Sequence, residues 1–259
     1  MMVRLGVIIA SLCFSIISFA QEGTREEVAF ISCPVYRDVD AGPKSGCWLA
    51  TERGSGVQYD VSAAKSKPLL GQAILVEGVV SPGNEKFCGG VTLEPVRVSL
   101  LDEECPEHVI TADEYPSRVF SLPKDVMKPT NVPRDLPPPP YVDKTFSVLF
   151  HFNSSFLNYQ YSEVLLEKIA LYIKAAKPAS VKVVGYAATK PYVVDGVDLR
   201  EEKKTAKARA DMVVLALTRL GVRQEIIRQT HQYRPQTIDH YANGLDEETK
   251  RRVDIIVEL

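Results

Sequence analysis

The stretch Ala206-Lys207-Ala208-Arg209-Ala210-Asp211-Met212-Val213 decides the fold of the second half of this chain. Its small and apolar residues recur every three to four positions, which is the period of an α-helix. The pattern predicts a helix over residues 200–220 with a buried stripe of Ala206, Ala210, Val213, Leu217 and Leu220. Gly221 and Val222 then provide the glycine stop and apolar follower typical of a helix C-terminus.

The sequence on both sides of this helix alternates between strand and helix periods. Phe146, Val148, Phe150 and Phe152 share one face of a strand, whereas Leu165, Ile169, Tyr172 and Ala176 form a helical stripe. Further strands are predicted at residues 181–186, 226–233 and 251–258. The order β-α-β-α-β-β over residues 144–259 predicts an α/β sandwich with a mixed sheet.

The first half has a different pattern, with short β-rich runs bounded by Gly, Pro and Asn. Residues 26–109 are therefore predicted to form a small all-β barrel or sandwich, which makes the whole chain α+β. Cys33, Cys47, Cys88 and Cys105 all lie in this unit. They are even in number and lack C-x-x-C spacing, so two structural disulfides are predicted. Of the three possible pairings we favour Cys33–Cys47 with Cys88–Cys105, because each closes a local loop.

Two segments outside these units have distinctive compositions. Residues 1–20 carry one early positive charge, an apolar run and small residues before Gln21, as in a cleaved signal peptide. Eight of the 17 prolines fall in the predicted linker, residues 110–143. At about 3.1 Å per residue, a polyproline II linker of this length spans up to roughly 90 Å and separates two independently folded units. The predicted signal peptide also implies export out of the cytoplasm, with no membrane span after its removal.

Charge and motif content exclude several classes of function. Lys and Arg number 31 against 33 Asp and Glu, so the basic field expected of a nucleic-acid-binding protein is missing. The four histidines are scattered without metal-ligand spacing, and no catalytic constellation is found. We therefore predict no enzyme activity, no metal and no cofactor. The run Glu201-Glu202-Lys203-Lys204 is interpreted as the solvated start of a helix.

Four motifs of the second unit resemble the OmpA-like, peptidoglycan-associating domain of bacterial envelope proteins. They are the entry segment at residues 148–157, Val183-Val184-Gly185-Tyr186, the helix at 206–213 with Leu217 and Leu220-Gly221-Val222, and Lys250-Arg251-Arg252-Val253-Asp254-Ile255. They occur in the family's order over about 115 residues, and the resemblance does not extend to the first unit.

The resemblance implies a site for the diaminopimelate of the peptidoglycan stem peptide. Arg209 stands where the family's arginine takes the ligand carboxylate through a bidentate fork. Ala188, however, stands where the family has an Asp for the ligand ammonium. The connection from Ala188 to Arg209 is longer than in the family, and Asp195 or Asp198 within it can substitute for that carboxylate.

Tyr186 ends the strand before this site, and Arg251 and Arg252 are expected as a basic patch beside it, one of them facing solvent. The candidate binding residues are thus Arg209, Tyr186, Asp195, Asp198 and Arg252.

Two functions remain open from the sequence. The first, which the resemblance implies, is an exported periplasmic envelope protein, at the cell wall or outer membrane, that associates weakly with the peptidoglycan stem peptide. The second is an OmpA-like unit without wall binding that acts as a protein-interaction module in an envelope assembly. The missing carboxylate at Ala188 favours the second hypothesis, and the retained Arg209 favours the first.

Overall fold

The structure is a computed structural model that describes residues 26–38, 46–83, 87–111, 132–158, 161–238 and 245–259. The predicted signal peptide lies outside the described residues, as do residues 112–131 of the predicted linker. The fold is α+β. We call residues 26–109 the first unit and residues 144–259 the second unit, after the boundaries predicted from the sequence.

The first unit contributes most of one seven-stranded mixed sheet. Its strands are β1 (Glu27–Ser32), β2 (Val35–Arg37), β3 (Cys47–Thr51), β4 (Gln58–Asp60), β5 (Gln72–Val80), β6 (Val91–Glu104) and β7 (His108–Ile110). The strand order is β1-β5-β6-β4-β3-β2-β7. Since β1 and β2 are consecutive in the chain but lie far apart in this order, the sheet curls round an apolar core that includes Phe30, Ile74 and Leu93.

The disulfide pairing predicted from sequence is wrong. The bonds are Cys33–Cys105 and Cys47–Cys88, with sequence separations of 72 and 41 residues. The cause is the strand order: β7 pairs in parallel with β2, which brings the residues before both strands together. The predicted local pairing requires that strands adjacent in the sheet are also consecutive in the chain, and the observed strand order does not meet this requirement. Loops of this length contribute about 4 kcal/mol each by chain-entropy reasoning.

The second unit is a four-stranded mixed sheet packed against two long helices. Its elements are β8 (Lys144–Leu149), α1 (Tyr161–Ala176), β9 (Ser180–Tyr186), β10 (Tyr192–Val194), β11 (Val197–Leu199), α2 (Lys203–Arg219), β12 (Ile227–Gln232), α3 (Asp246–Thr249) and β13 (Arg252–Glu258). The sheet order is β12-β9-β13-β8, with β12 parallel to β9. Strands β10 and β11 form a separate hairpin. Within the described ranges, no helix has both the length and the apolar character needed to cross a membrane.

The stripe predicted for α2 is buried except at its last member. Ala206, Ala210, Val213 and Leu217 are inaccessible to solvent, whereas Leu220 is 46% exposed. The helix ends at Arg219, and Gly221 adopts a left-handed conformation with φ of 90°. This turn carries Val222 into the core in place of Leu220, and the Val222 amide donates to the Leu217 carbonyl. The predicted end of the helix is therefore correct, but the last buried apolar residue is Val222 rather than Leu220.

Gly185 on β9 allows α2 to approach the sheet closely. A Cβ atom at this position would lie 2.0 Å from the Ala206 carbonyl oxygen and 3.0 Å from the Ala210 Cβ. The obstructing atoms are mainly backbone, so they cannot turn away as a flexible side chain can. The glycine therefore sets the distance between α2 and the sheet.

We predict that Gly185→Ala destabilises the protein by about 3 kcal/mol or more, because α2 must move off the sheet. Gly54→Ala is the matched control, since nothing lies within 4 Å of its Cβ position. Chemical denaturation of both variants measures the difference. Equal stability of the two variants would show that α2 does not pack on β9 as described.

The two units are in contact, contrary to the separation expected from the linker. Arg251 forms a bidentate ion pair with Glu77 of β5, with Arg251 Nη1 3.1 Å from Glu77 Oε1, and both side chains are buried. Beside it, Arg97 of β6 pairs with Glu248 of α3. Glu77 and Arg97 are opposite each other on β5 and β6, so the four charges form one cluster. Burial lowers the pKa of Arg251, but the charge and hydrogen bonds of Glu77 outweigh burial and raise it.

Removing one charge of this cluster should weaken the whole chain. Glu77→Gln leaves Arg251 buried without its counter-charge, and loss of one partner of a buried pair costs about 3–5 kcal/mol. Glu202→Gln is the control, because the Glu202–Lys204 pair is exposed and should contribute less than about 1 kcal/mol. Urea denaturation of the full chain compares them. A Glu77→Gln cost no larger than the control would contradict a buried junction.

Candidate functional site

Arg209 is the central residue of the candidate site and is completely buried. It precedes the buried Ala210 on α2, so its side chain runs along the flank of the helix toward the end of β9. The guanidinium lies 5.3 Å from the centre of the Phe150 ring. A buried guanidinium is costly unless each N–H finds an acceptor.

Every N–H of the Arg209 guanidinium has an acceptor. Nε donates to the Ser154 carbonyl at 2.8 Å, Nη1 to the Tyr186 carbonyl at 2.9 Å, and Nη2 to the His151 carbonyl at 3.0 Å. The remaining Nη1 and Nη2 hydrogens go to the two oxygens of Glu201 at 2.8 and 2.5 Å. A guanidinium has five N–H groups, so its hydrogen-bonding capacity is fully used.

The Glu201 carboxylate is equally well satisfied. Oε1 also accepts from the Asn153 amide at 2.7 Å, and Oε2 from the Ala188 amide at 2.8 Å. Asn153 has φ of 50°, a left-handed conformation that Asn tolerates better than most residues. We call this set, the Arg209 fork with the amides of Asn153 and Ala188, the Arg209 cradle. It binds one planar carboxylate with four donors, and Glu201 fills it.

Arg209 and Glu201 form an ion pair that is buried from solvent. Burial lowers the pKa of Arg209 from its ordinary value, and the hydrogen bonds and charge of Glu201 oppose that change. Both side chains have no exposed area. Since a lone charge would be severely penalised here, the two charges depend on each other.

Neither Asp195 nor Asp198 takes part in the Arg209 cradle. Asp195 lies at the tip of the β10–β11 hairpin, where its Oδ2 accepts from the Ile31 amide of β1 at 2.7 Å. Asp198 is exposed and pairs with Arg200. The expected substitution for a strand-end carboxylate is therefore not made by either residue in this structure.

Tyr186 and Arg252 form a second group next to the cradle. The Arg252 guanidinium lies 4.4 Å from the centre of the Tyr186 ring, and its Nε donates to both oxygens of Asp254. Burial raises the pKa of Tyr186, with a further increase from Asp254. The expectation that Arg251 or Arg252 faces solvent is wrong, because both are buried in ion pairs.

Glu201 is the residue that sequence reasoning missed. The charged run at residues 201–204 predicts a solvated helix start, yet the Glu201 side chain has no exposed area. The overlooked signal is Asp195-Gly196 between apolar residues, which is typical of a two-residue β-hairpin turn. Both residues have positive φ, 50° and 78°, as that turn requires. The hairpin shortens the long connection and brings Glu201 back to Ala188, where the Glu201 amide donates to the Ala188 carbonyl at 2.9 Å.

His151 links the cradle to the first unit. Its carbonyl accepts from Arg209, and its ring Nε2 lies 2.7 Å from the Ser66 hydroxyl oxygen. Burial, followed by the charges of Arg97 and Arg251, lowers the pKa of His151 to about 3. The ring is therefore neutral in the folded protein at physiological pH.

This pKa predicts a loss of stability in acid. Below about pH 6.5 the unfolded chain binds a proton at His151, and the folded chain does not bind it until about pH 3. Stability should therefore fall by about 1.4 kcal/mol per pH unit between pH 6 and 4 from this residue. Denaturation curves of wild type and His151→Gln measure the effect, and the variant should have the shallower slope. Equal slopes would mean that His151 is protonated in the folded state.

A metal site is not apparent in the part of the chain that the structure covers, where no group of three His, Cys, Asp or Glu residues converges.

No protein-family model matches the chain, and no curated protein matches it.

Among solved structures, the chain is similar to the OmpA-like domain of FopA1 from Francisella tularensis. The two share 21% identity over 44% of this chain and 71% of that one, with a TM-score of 0.36. It is also similar to the peptidoglycan-associated lipoprotein from Burkholderia pseudomallei, with 21% identity over 43% and 89% and a TM-score of 0.34. A third is the cell wall anchor of the T6SS from Pseudomonas aeruginosa, with 21% identity over 45% and 81% and a TM-score of 0.35. The resemblance to OmpA-like domains that the sequence motifs carry is thus also found among solved structures, over about 44% of the chain.

Proposed function

We propose that this chain is an exported, non-enzymatic protein of the cell envelope whose OmpA-like unit associates weakly with peptidoglycan. The four OmpA-like motifs, with Arg209 retained among them, support the association. The observation that carries its weakness is the full occupation of Arg209 by Glu201 and three backbone carbonyls. Two disulfides in the first unit support export, since disulfides persist in oxidising compartments.

The association is weak because ligand binding replaces one arginine–carboxylate contact with another of the same kind. A stem-peptide carboxylate reaches Arg209 only by displacing Glu201, so one arginine–carboxylate fork replaces another. The net gain from the fork is then close to zero, while association still costs several kcal/mol of translational and rotational freedom. The ligand ammonium has no strand-end carboxylate, because Ala188 stands there and Asp195 is bound to Ile31.

The protein-interaction alternative is supported by a cleft between the two units. It has a volume of about 410 Å³ and is lined by Leu100, Leu101, Phe152 and Phe156 among other residues. Phe156 is 66% exposed and Leu100 43% exposed, which is unusual for such large apolar side chains near a concave surface. A partner protein that buries these residues would contact both units at once.

Sedimentation with purified peptidoglycan tests the proposal. Wild type should sediment weakly, and Glu201→Ala should bind roughly ten- to a hundredfold more tightly, because it frees a charged fork contributing about 1.5–3 kcal/mol. Glu201→Ala combined with Arg209→Met should return binding to the wild-type level. Glu202→Ala, which changes the exposed neighbour, is the matched control.

Tight binding by wild type would contradict the proposal, as would a folded Glu201→Ala variant that binds no better than wild type. If none of the variants sediments with peptidoglycan, the interaction-module hypothesis replaces wall association.

A further inference from the structure

The segment between β9 and α2 connects the two units. We call residues 189–202 the strap; it contains the β10–β11 hairpin and Glu201. The strap is fixed at two places. One is the first unit, and the other is the Arg209 cradle.

The hairpin of the strap packs against the first unit. The Ile31 amide of β1 donates to Asp195 Oδ2 at 2.7 Å. Val194 and Leu199 are buried in one cluster with Ile31 and Leu75 of the first unit. The hairpin therefore packs against β1 and β5 of the first unit, and its position depends on β1.

The other end of the strap places a carboxylate in the Arg209 cradle. Glu201 follows the hairpin by two residues, so a displacement of the hairpin acts directly on its position. Its carboxylate takes four donors, two from Arg209 and the amides of Asn153 and Ala188. These donors recognise any planar carboxylate, and nothing in their geometry requires that it come from this chain.

We infer that Glu201 is an exchangeable internal ligand, and that β1 keeps the cradle closed by holding the strap through Asp195. When the strap leaves β1, Glu201 withdraws and the cradle becomes a receptor for an external carboxylate, such as one carried by a peptide. The inference rests on the proposed function only for the identity of the natural ligand. The carboxylate chemistry and the coupling to β1 stand without peptidoglycan.

Acetate tests the exchangeable ligand. In the full chain carrying Glu201→Ala, acetate should bind saturably, shift the Ala188 and Asn153 amide resonances and raise the melting temperature. Sodium chloride at the same ionic strength should do neither, and wild type and Glu202→Ala should not respond to acetate. An acetate effect no larger than that of chloride on folded Glu201→Ala would overturn the inference.

Hydrogen exchange tests the coupling and decides the case if Glu201→Ala does not fold. Asp195→Gly removes the acceptor for Ile31 while keeping the positive φ of the turn, so it releases the strap without straining the hairpin. Exchange at the Ala188 and Asn153 amides should become roughly tenfold faster, as expected for loss of one hydrogen bond to a charged group. Asp198→Ala, which alters an exposed residue of the same strap, should leave exchange unchanged. Unchanged exchange in Asp195→Gly would overturn the inference.

If the acetate and exchange results hold while peptidoglycan binding fails, the carboxylate receptor stands and its natural ligand is not the cell wall.

Discussion

The buried guanidinium of Arg209 sets the requirement that the surrounding structure satisfies. A charge with no exposed area needs five acceptors and a counter-charge, and the chain supplies three carbonyls and one carboxylate. The carbonyls come from the loop after β8 and from the end of β9, so Arg209 joins both to α2. Gly185 lets α2 come close enough to the sheet for this contact. The site and the packing of the second unit are therefore one arrangement.

The same requirement governs the junction between the units. Glu77 and Arg97 on the curled sheet face Arg251 and Glu248 of the second unit, and each charge has its partner across the boundary. Such pairs contribute little net stability compared with apolar packing, but leaving one unpaired is costly. They thus favour one relative placement of the two units over others. The β10–β11 hairpin uses that placement, because Asp195 and Val194 meet β1.

Sequence reasoning found what local periodicity encodes. The stripe on α2, the strands around Val183 and Val253, and the glycine stop at Gly221 follow from the spacing of neighbours in the chain. The disulfide pairing, the partner of Arg251 and the role of Glu201 depend on contacts between distant segments, which spacing does not report. Glu201 also shows how a buried charge is disguised, because in sequence it belongs to a charged run. Only the Asp195-Gly196 turn indicated that the chain folds back there.

The central claim is that Glu201 occupies the Arg209 cradle. The hydrogens of the Arg209 guanidinium report directly on whether this contact is made. In nitrogen-resolved NMR spectra of the wild-type protein, the account predicts separate, slowly exchanging resonances for the Nε–H and the Nη hydrogens of Arg209. Rotation of the guanidinium is blocked when all five hydrogens are bonded. A single averaged Nη signal with rapid solvent exchange, as for an arginine in water, would contradict the account.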